Sequence, residues 1–174
     1  MYTRLLLILL LGTTLMCSCQ TEPLPVNSLA DRVTEGTSKD RILFRIIADE
    51  NNSSKDYFEI SSEDGKVLIT GNSDLSLSTG LNWYLKYVAG IHLSWNNLSQ
   101  KLPEVLPLPQ ETIRKETSMQ ARYYLNYCTY SYSMAFWDWE RWEKEIDWMA
   151  LHGINMPLSI TGMEVVGCTH IRIA

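Results

Sequence analysis

The sequence predicts an α/β protein built from two units: a small N-terminal α/β domain and, after a proline-marked connector, one βαβ unit. Three patterns carry this prediction. They are the β-rich runs around an Asp64-Gly65 turn, the helical spacing of leucines after Gly71, and a strand–helix–strand order over residues 121–161. Strands that alternate with helices in this way are typical of α/β folds with parallel strand pairs.

The N-terminal domain is assigned to residues 19–100 and contains several β-rich apolar runs. Because an Asp-Gly pair favours a two-residue hairpin turn, the runs on either side of Asp64-Gly65 are predicted to pair antiparallel. The predicted strands of this domain are residues 41–47, 57–60, 66–70 and 91–95.

A helix is predicted after Gly71, where the apolar spacing changes from a strand-like to a helix-like period. Asn72 or Ser73 is suited to cap its first turn, and Gly90 lies where a glycine commonly ends a helix. The apolar residues at helical spacing are Leu77, Leu81, Leu85 and Val88.

Residues 101–117, KLPEVLPLPQETIRKET, are assigned to a linker because they contain three prolines. Proline fixes φ and removes a backbone donor, which favours a stiff connector or extended arm over a core element. The boundary between the two units is placed near residue 115.

The second unit, residues 118–174, begins with a predicted strand at 121–129 and ends its helix at Gly153. Alternation along the strand predicts one packing face and one polar face that leads to a site. The packing face is Tyr123, Leu125 and Tyr127, and the polar face is Arg122, Tyr124, Asn126 and Cys128. The helix is predicted to bury an apolar stripe, Trp139, Trp142, Ile146 and Met149. A return strand at 154–161 should run parallel to the first.

Residues 1–18 are predicted to be an export signal, with Arg4 before the unbroken apolar run Leu5–Leu11. Ser18-Cys19 at its end resembles a bacterial lipobox, so we expect a lipoprotein of the cell envelope, periplasmic or on the outer membrane, acylated at Cys19 and attached to membrane only through that lipid. A plain signal peptide without lipid is the alternative.

Composition narrows the function classes. The chain of 174 residues is 45% hydrophobic and 20% charged, which is typical of folded domains, and its formal net charge is −5. A nucleic-acid-binding surface is not expected, because such surfaces are basic. Cys128 and Cys168 are forty residues apart and read as lone thiols, and no metal-ligand spacing surrounds the histidines, so no metal site is predicted.

Two segments resemble a known family. YYLNYCTYSYSMAFWDWERWEKEIDWMALHGINMPLSITGMEVV, residues 123–166, resembles the first βαβ unit of the barrel of the α-N-acetylglucosaminidases, glycoside hydrolase family 89. GLNWYLKYVAGIHLSWN, residues 80–96, resembles the N-terminal domain that precedes this (β/α)8 TIM barrel. The resemblance implies an exo-acting, retaining hydrolase that removes terminal α-linked N-acetylglucosamine from glycans without metal or organic cofactor.

The resemblance also implies that Asn126, Cys128 and Tyr132 line the sugar pocket, at the carboxyl end of a strand where barrel active sites gather. An amide can read ring hydroxyls, a phenol offers a donor and an apolar face, and a thiol fills a small half-polar gap. Each residue also has a purely structural interpretation. Asn126 would be a buried amide with its hydrogen bonds satisfied, Tyr132 a ring that packs in the loop, and Cys128 a small core residue. Glu164 follows the second strand, where a supporting hydrogen bond and simple solvation both stay open.

The family's nucleophile and acid/base lie on later strands. A retaining glycosidase needs two carboxyl groups ~5–5.5 Å apart, and a complete barrel takes ~250 residues, whereas residues 118–174 number 57. We therefore expect a truncated barrel without catalytic glutamates, whose βαβ unit lacks packing partners and is trimmed by protease towards residue 115. A stand-alone glycan-binding lipoprotein is the alternative, and a different barrel glycosidase is a third.

Overall fold

A computed structural model describes residues 23–48, 55–126 and 128–158. The predicted signal peptide, Cys19, Glu164 and Cys168 lie outside the described residues. The elements in chain order are α1 (Pro25–Val33), β1 (Ile42–Ile46), β2 (Asp56–Glu63), β3 (Lys66–Gly71), α2 (Asp74–Tyr87), β4 (Ile113–Thr117), β5 (Tyr123–Tyr124), α3 (Cys128–Ser131), α4 (Trp139–Leu151) and β6 (Met156–Pro157). No helix in this part of the chain has the length and apolarity to cross a bilayer.

The N-terminal domain is built on a four-stranded sheet with the order β1-β3-β2-β4. β1 pairs parallel with β3, while β2 pairs antiparallel with both β3 and β4. The predicted hairpin is confirmed, since Glu63 is opposite Lys66 and the turn residues Asp64 and Gly65 have φ values of 51° and 76°. Two successive positive φ angles match the twist of a two-residue hairpin.

Helix α2 covers one face of this sheet, as the leucine spacing predicted. Leu77, Leu81 and Leu85 are fully buried. Ser73 is the predicted cap, and its side chain accepts a hydrogen bond from the Ser76 backbone at 3.1 Å. Helix and sheet approach so closely at Gly80 that an added Cβ would lie 2.8 Å from a methyl carbon of Ile69.

Three parts of this domain differ from the prediction. α1 was not predicted. Residues 91–95 form a loop with a single bridge, Ser94 to Asn97, in place of a strand. Ile91 and Leu93 are nevertheless buried, at 7% and 3% exposed. The alternating apolar pattern therefore indicated which residues are buried, but not that they pair as a strand. Residues 113–117, assigned to the linker, form β4 and extend the sheet alongside β2.

The βαβ unit has the predicted parallel pairing. Tyr123 of β5 is opposite Met156 of β6, and α4 connects the two strands on the way. Asp138 caps α4 by accepting a hydrogen bond from the Arg141 backbone at 2.9 Å. The unit therefore has the start of a barrel-like arrangement, and the described residues contain no closed barrel.

The expectation that this unit lacks packing partners is wrong, and the predicted buried stripe is correct only in part, since Met149 is 8% exposed. Trp139 is 55% exposed, whereas Glu145 and Asp147 are buried on the face of α4 turned towards the N-terminal domain. Leu151, fully buried, belongs to the same hydrophobic core as α2 and the sheet. Asn82 of α2 donates a hydrogen bond to the Leu151 carbonyl at 3.0 Å. The N-terminal domain contributes to the burial of these polar residues, because Trp95 donates to Glu145 and Arg32 donates to Asp147.

Candidate functional site

The predicted site residues lie on one short segment that follows β5. Leu125 has a φ of 79°, a left-handed conformation that ends the strand and redirects the chain. Asn126 then precedes α3, and its Oδ1 accepts hydrogen bonds from the backbone N–H groups of Cys128 at 2.9 Å and Thr129 at 3.3 Å. Within the described residues, this cap uses the side-chain oxygen of Asn126 and not its Nδ2 donor.

The predicted division of the strand into two faces is wrong. Tyr124, assigned to the polar site face, points towards α4, where its ring centroid is 5.1 Å from that of Trp148. Arg122, assigned to the same face, donates to the Gly153 carbonyl and to Asp56. Tyr123, assigned to the packing face, is 57% exposed. Strict alternation cannot be extended past Leu125 because its backbone is not extended there.

Cys128 and Tyr132 are both exposed. Cys128 carries a free thiol, and the Tyr132 side chain is 76% exposed. Asn126, Cys128 and Tyr132 thus lie on an open surface in the segment that follows β5, and the strand predicted over 121–129 ends at Tyr124, with Cys128 in α3. Phe136, in the loop between α3 and α4, is 93% exposed. Exposed aromatic faces and an amide donor suit the apolar faces and hydroxyls of a sugar.

A fully buried carboxylate supports this segment from beneath. Glu145 of α4 accepts at Oε1 from the Tyr124 hydroxyl, 2.9 Å away. Its Oε2 accepts from Trp95 Nε1 at 2.7 Å and from Arg141 Nη2 at 2.9 Å. Burial, together with the hydrogen bond to Glu145, raises the pKa of Tyr124 to about 12. The phenol therefore stays protonated and donates at neutral pH.

Arg141 is held in turn by two indole rings. Its guanidinium carbon is 3.9 Å from the ring centroid of Trp137 and 4.7 Å from that of Trp95. Stacking of this kind favours a planar cation beside an aromatic face. The sequence prediction missed this arrangement. The i,i+4 spacing of Arg141 and Glu145 was its only local signal, because Trp95 lies 50 residues before Glu145.

The described residues contain no group of three or more His, Cys, Asp or Glu side chains that could hold a metal ion.

Comparison with known proteins assigns the two units to one family. The model of the α-N-acetylglucosaminidase N-terminal domain matches residues 24–108, and the model of the TIM-barrel domain of the same enzymes matches residues 122–171. The chain belongs to the α-N-acetylglucosaminidase family. It is 42% identical to the human α-N-acetylglucosaminidase over 101 residues, which are 58% of this chain and 14% of the human protein.

Solved structures of this family share the fold. A family 89 glycoside hydrolase from Clostridium perfringens, in complex with 2-acetamido-1,2-dideoxynojirimycin, matches with a TM-score of 0.71 and 41% identity over 81% of this chain. A form of that enzyme with two glutamate-to-glutamine substitutions, in complex with its substrate GlcNAc-α-1,4-galactose, matches equally well. The chain spans 16% of the length of these structures.

Proposed function

We propose that this protein provides the N-terminal domain and the first sugar-contacting segment of an exo-acting, retaining glycoside hydrolase that removes terminal α-linked N-acetylglucosamine from glycans. The observation that carries the proposal is the 41% identity, over 81% of this chain, to a C. perfringens enzyme whose substrate is GlcNAc-α-1,4-galactose. The glycan is the only partner the proposal requires, and no cofactor enters it.

Three side chains are proposed to contact the sugar. The Nδ2 group of Asn126 would donate to a ring hydroxyl, since its Oδ1 is already engaged in capping α3. The exposed ring of Tyr132 would pack against the sugar, and Cys128 would fill the space between them. All three follow one strand end, which is where barrel enzymes assemble their sites.

The catalytic carboxylates are proposed to lie on barrel strands outside these 174 residues. A retaining mechanism needs a nucleophile and an acid/base that both face the scissile bond. The two buried carboxylates of α4 face elsewhere, because Glu145 is bound by Trp95, Tyr124 and Arg141, and Asp147 is bound by Arg32. We therefore expect no hydrolysis of an aryl α-N-acetylglucosaminide by the 174-residue chain. Measurable turnover would show that the catalytic pair is present after all.

The competing function is a stand-alone glycan-binding lipoprotein made from the N-terminal domain. The position of Leu151 in the core of that domain argues against it, because the domain then completes its packing only with α4. Retention of glycans by residues 20–115 alone, on a glycan array, would favour the competing function.

The test of the proposed function is a segment exchange. In the C. perfringens enzyme, the segment that matches this chain is replaced by residues 23–158, and hydrolysis of GlcNAc-α-1,4-galactose is measured alongside thermal unfolding. We expect the exchanged enzyme to be folded and active. A folded but inactive exchange would contradict the proposal.

Variants of Asn126 in this exchanged enzyme separate sugar binding from helix capping. Asn126→Asp retains an oxygen that caps α3 but loses the Nδ2 donor, whereas Asn126→Ala loses both. Loss of a hydrogen bond to substrate in a closed pocket costs ~1–3 kcal/mol, so both variants should have a kcat/KM lower by about tenfold or more. The control is Lys144→Ala on the outer face of α4. Full activity of Asn126→Asp would reduce the role of Asn126 to capping.

A further inference from the structure

The environment of Glu145 is unusual for a residue that only holds a helix in place. Its side chain is fully buried, and both oxygens accept hydrogen bonds from donors on three different segments: Trp95, Tyr124 and Arg141. A buried carboxylate is expensive to desolvate, and apolar residues of similar size often stabilise such a position as well or better. What the carboxylate adds is geometry, because it fixes its three partners relative to one another.

A short path leads from Glu145 to the proposed sugar-contacting segment. Tyr124, which donates to Glu145, is followed by Leu125 in its left-handed conformation and then by Asn126, the cap of α3. Only one residue therefore separates the anchored phenol from the amide. The direction in which Leu125 turns the chain, and hence the position of the first turn of α3, depends on where Tyr124 is held.

Trp95 links the N-terminal domain to Glu145. It lies in the loop after α2, and its indole N–H donates to the Glu145 oxygen that also accepts from Arg141. Arg141 also stacks on the rings of Trp95 and Trp137, so it contacts both Glu145 and Trp95. The N-terminal domain thus contacts β5 through the Glu145 carboxylate, in addition to the ion pair between Asp56 of β2 and Arg122 just before β5.

We propose that Glu145 is a positioning residue that holds Tyr124, and through it residues 126–132, in the geometry that contacts the sugar, and that Trp95 makes the N-terminal domain part of this support. The identity of the ligand rests on the proposed function, whereas the local geometry does not.

The first experiment uses the 174-residue chain and requires no activity. Hydrogen exchange is compared between peptides that cover residues 120–132 and the β2–β3 hairpin. Tyr124→Phe removes the hydroxyl but keeps the ring against Trp148, so we expect exchange in 120–132 to be about tenfold faster, the effect of one lost hydrogen bond, with the hairpin unchanged. Lys144→Ala, which loses an exposed contact to Glu140 on the same helix, is the control. Equal exchange in Tyr124→Phe and the control would overturn the proposal.

The second experiment measures ligand affinity in the exchanged C. perfringens enzyme. Tyr124→Phe and Trp95→Phe should each weaken binding of 2-acetamido-1,2-dideoxynojirimycin severalfold and lower kcat/KM for the disaccharide by the same factor, measured at a temperature at which each variant is fully folded. Because both act through Glu145, the double variant should lose less than the product of the two single effects. Glu145→Gln should lose more than Tyr124→Phe, since its amide would turn N–H groups towards at least one donor.

The two experiments separate the two proposals. If the unsubstituted segment-exchanged enzyme is folded and neither binds the inhibitor nor hydrolyses the disaccharide, the proposed function fails. The hydrogen-exchange experiment on the 174-residue chain then decides alone whether Glu145 positions the segment. If that enzyme is active but Tyr124→Phe and Trp95→Phe match Lys144→Ala in inhibitor affinity, the positioning role is overturned.

Discussion

Arg32 and Asp147, 115 residues apart in the sequence, form a two-point ion pair in which Arg32 Nε and Nη2 each donate to a separate carboxylate oxygen at 2.7 Å. The pair joins α1 of the N-terminal domain to α4 of the barrel unit. The Asp147 side chain is 5% exposed and that of Arg32 is 40% exposed. The hydrogen bond to Asp147 raises the pKa of Arg32, so the guanidinium remains charged and available to the buried carboxylate.

Arg32→Ala should destabilise the protein because it leaves the Asp147 carboxylate buried without its partner. Breaking a fully buried pair costs ~3–5 kcal/mol, but solvent reaches Arg32, so we expect a loss of ~1–2 kcal/mol in the free energy of unfolding. Urea unfolding monitored by tryptophan fluorescence measures it. The matched control is Arg45→Ala, which breaks an ion pair to Glu63 in which both side chains are largely exposed. Equal stability of the two variants would contradict the assigned role.

The effect of Arg32→Ala should also depend on pH. Burial raises the pKa of Asp147, and Arg32 opposes that rise. Without Arg32 the folded-state pKa of Asp147 lies further above its unfolded value, so the folded state favours the protonated carboxyl. The deficit of Arg32→Ala relative to the unsubstituted protein should then be largest at neutral pH and shrink as the pH falls towards the range of carboxylate titration. A deficit that grows in acid would contradict this assignment.

Leu151→Ala tests whether α4 belongs to the core of the N-terminal domain. Leu151 is fully buried among residues of α2 and the sheet. Truncating a buried leucine typically costs ~2–5 kcal/mol, and we expect a loss in that range in the urea unfolding free energy. Met156→Ala is the control, since Met156 is 50% exposed. A Leu151→Ala variant as stable as the control would place α4 outside the cooperative core.

Limited proteolysis provides an independent check of the same packing. If α4 shares the core, the resistant fragment should extend from about residue 24 to at least Gly153, as judged by mass spectrometry of the stable product. The sequence alone favoured trimming to residue 115, at the end of the proline-containing linker. A stable product that ends near residue 115 would show that the N-terminal domain folds without α4 and that the two units are separable.

The elements found correctly from the sequence are those whose signal is local. The Asp64-Gly65 hairpin and the α2 leucines depend on turn chemistry and on periods of two and 3.6 residues. The buried face of α4 was missed because hydrophobic spacing cannot reveal that Glu145 and Asp147 find partners 50 and 115 residues away. Burial of such carboxylates is favourable only with those partners.

The candidate site also has a part that sequence periodicity alone could not predict. The assignment of Asn126, Cys128 and Tyr132 to a sugar pocket stays a prediction, which rests on family resemblance. The faces of the strand were assigned wrongly, because alternation assumes an extended backbone and Leu125 adopts a left-handed one. A positive φ at leucine has no reliable sequence signal, since glycine and asparagine are the residues that favour it.

Export and lipid attachment remain a prediction about Cys19. When the chain is produced in a bacterium with lipoprotein-processing enzymes, mass spectrometry of the native N-terminus should find a lipid-modified Cys19 as the first residue. Cys19→Ser should abolish the modification because the acceptor thiol is gone. Cys17→Ser is the control, since Cys17 would leave with the signal peptide. An unmodified N-terminal residue in the unsubstituted protein would contradict the prediction.

The last prediction concerns Tyr84, which is buried, and Tyr124, which is partly buried. Burial raises the pKa of Tyr84 and of Tyr124 to about 12 each. The Tyr84 hydroxyl donates to the Pro107 carbonyl at 3.0 Å, and that of Tyr124 donates to Glu145. Because the folded-state pKa exceeds the unfolded one, both contribute their full stability below pH ~10, and that stability is lost as the pH rises through ~12.

An alkaline titration followed by phenolate absorbance should therefore contain a late phase that ends with unfolding. Tyr84→Phe and Tyr124→Phe should each remove one phenol from this phase, and the phase should disappear in denaturant, where burial no longer separates these residues from the others. Tyr124→Phe should also leave the Tyr84 portion in place, because the two hydroxyls bind different acceptors. If Tyr124→Phe left the late amplitude unchanged, the hydroxyl would not be held by Glu145 in solution, and the support proposed for residues 126–132 would lose its anchor.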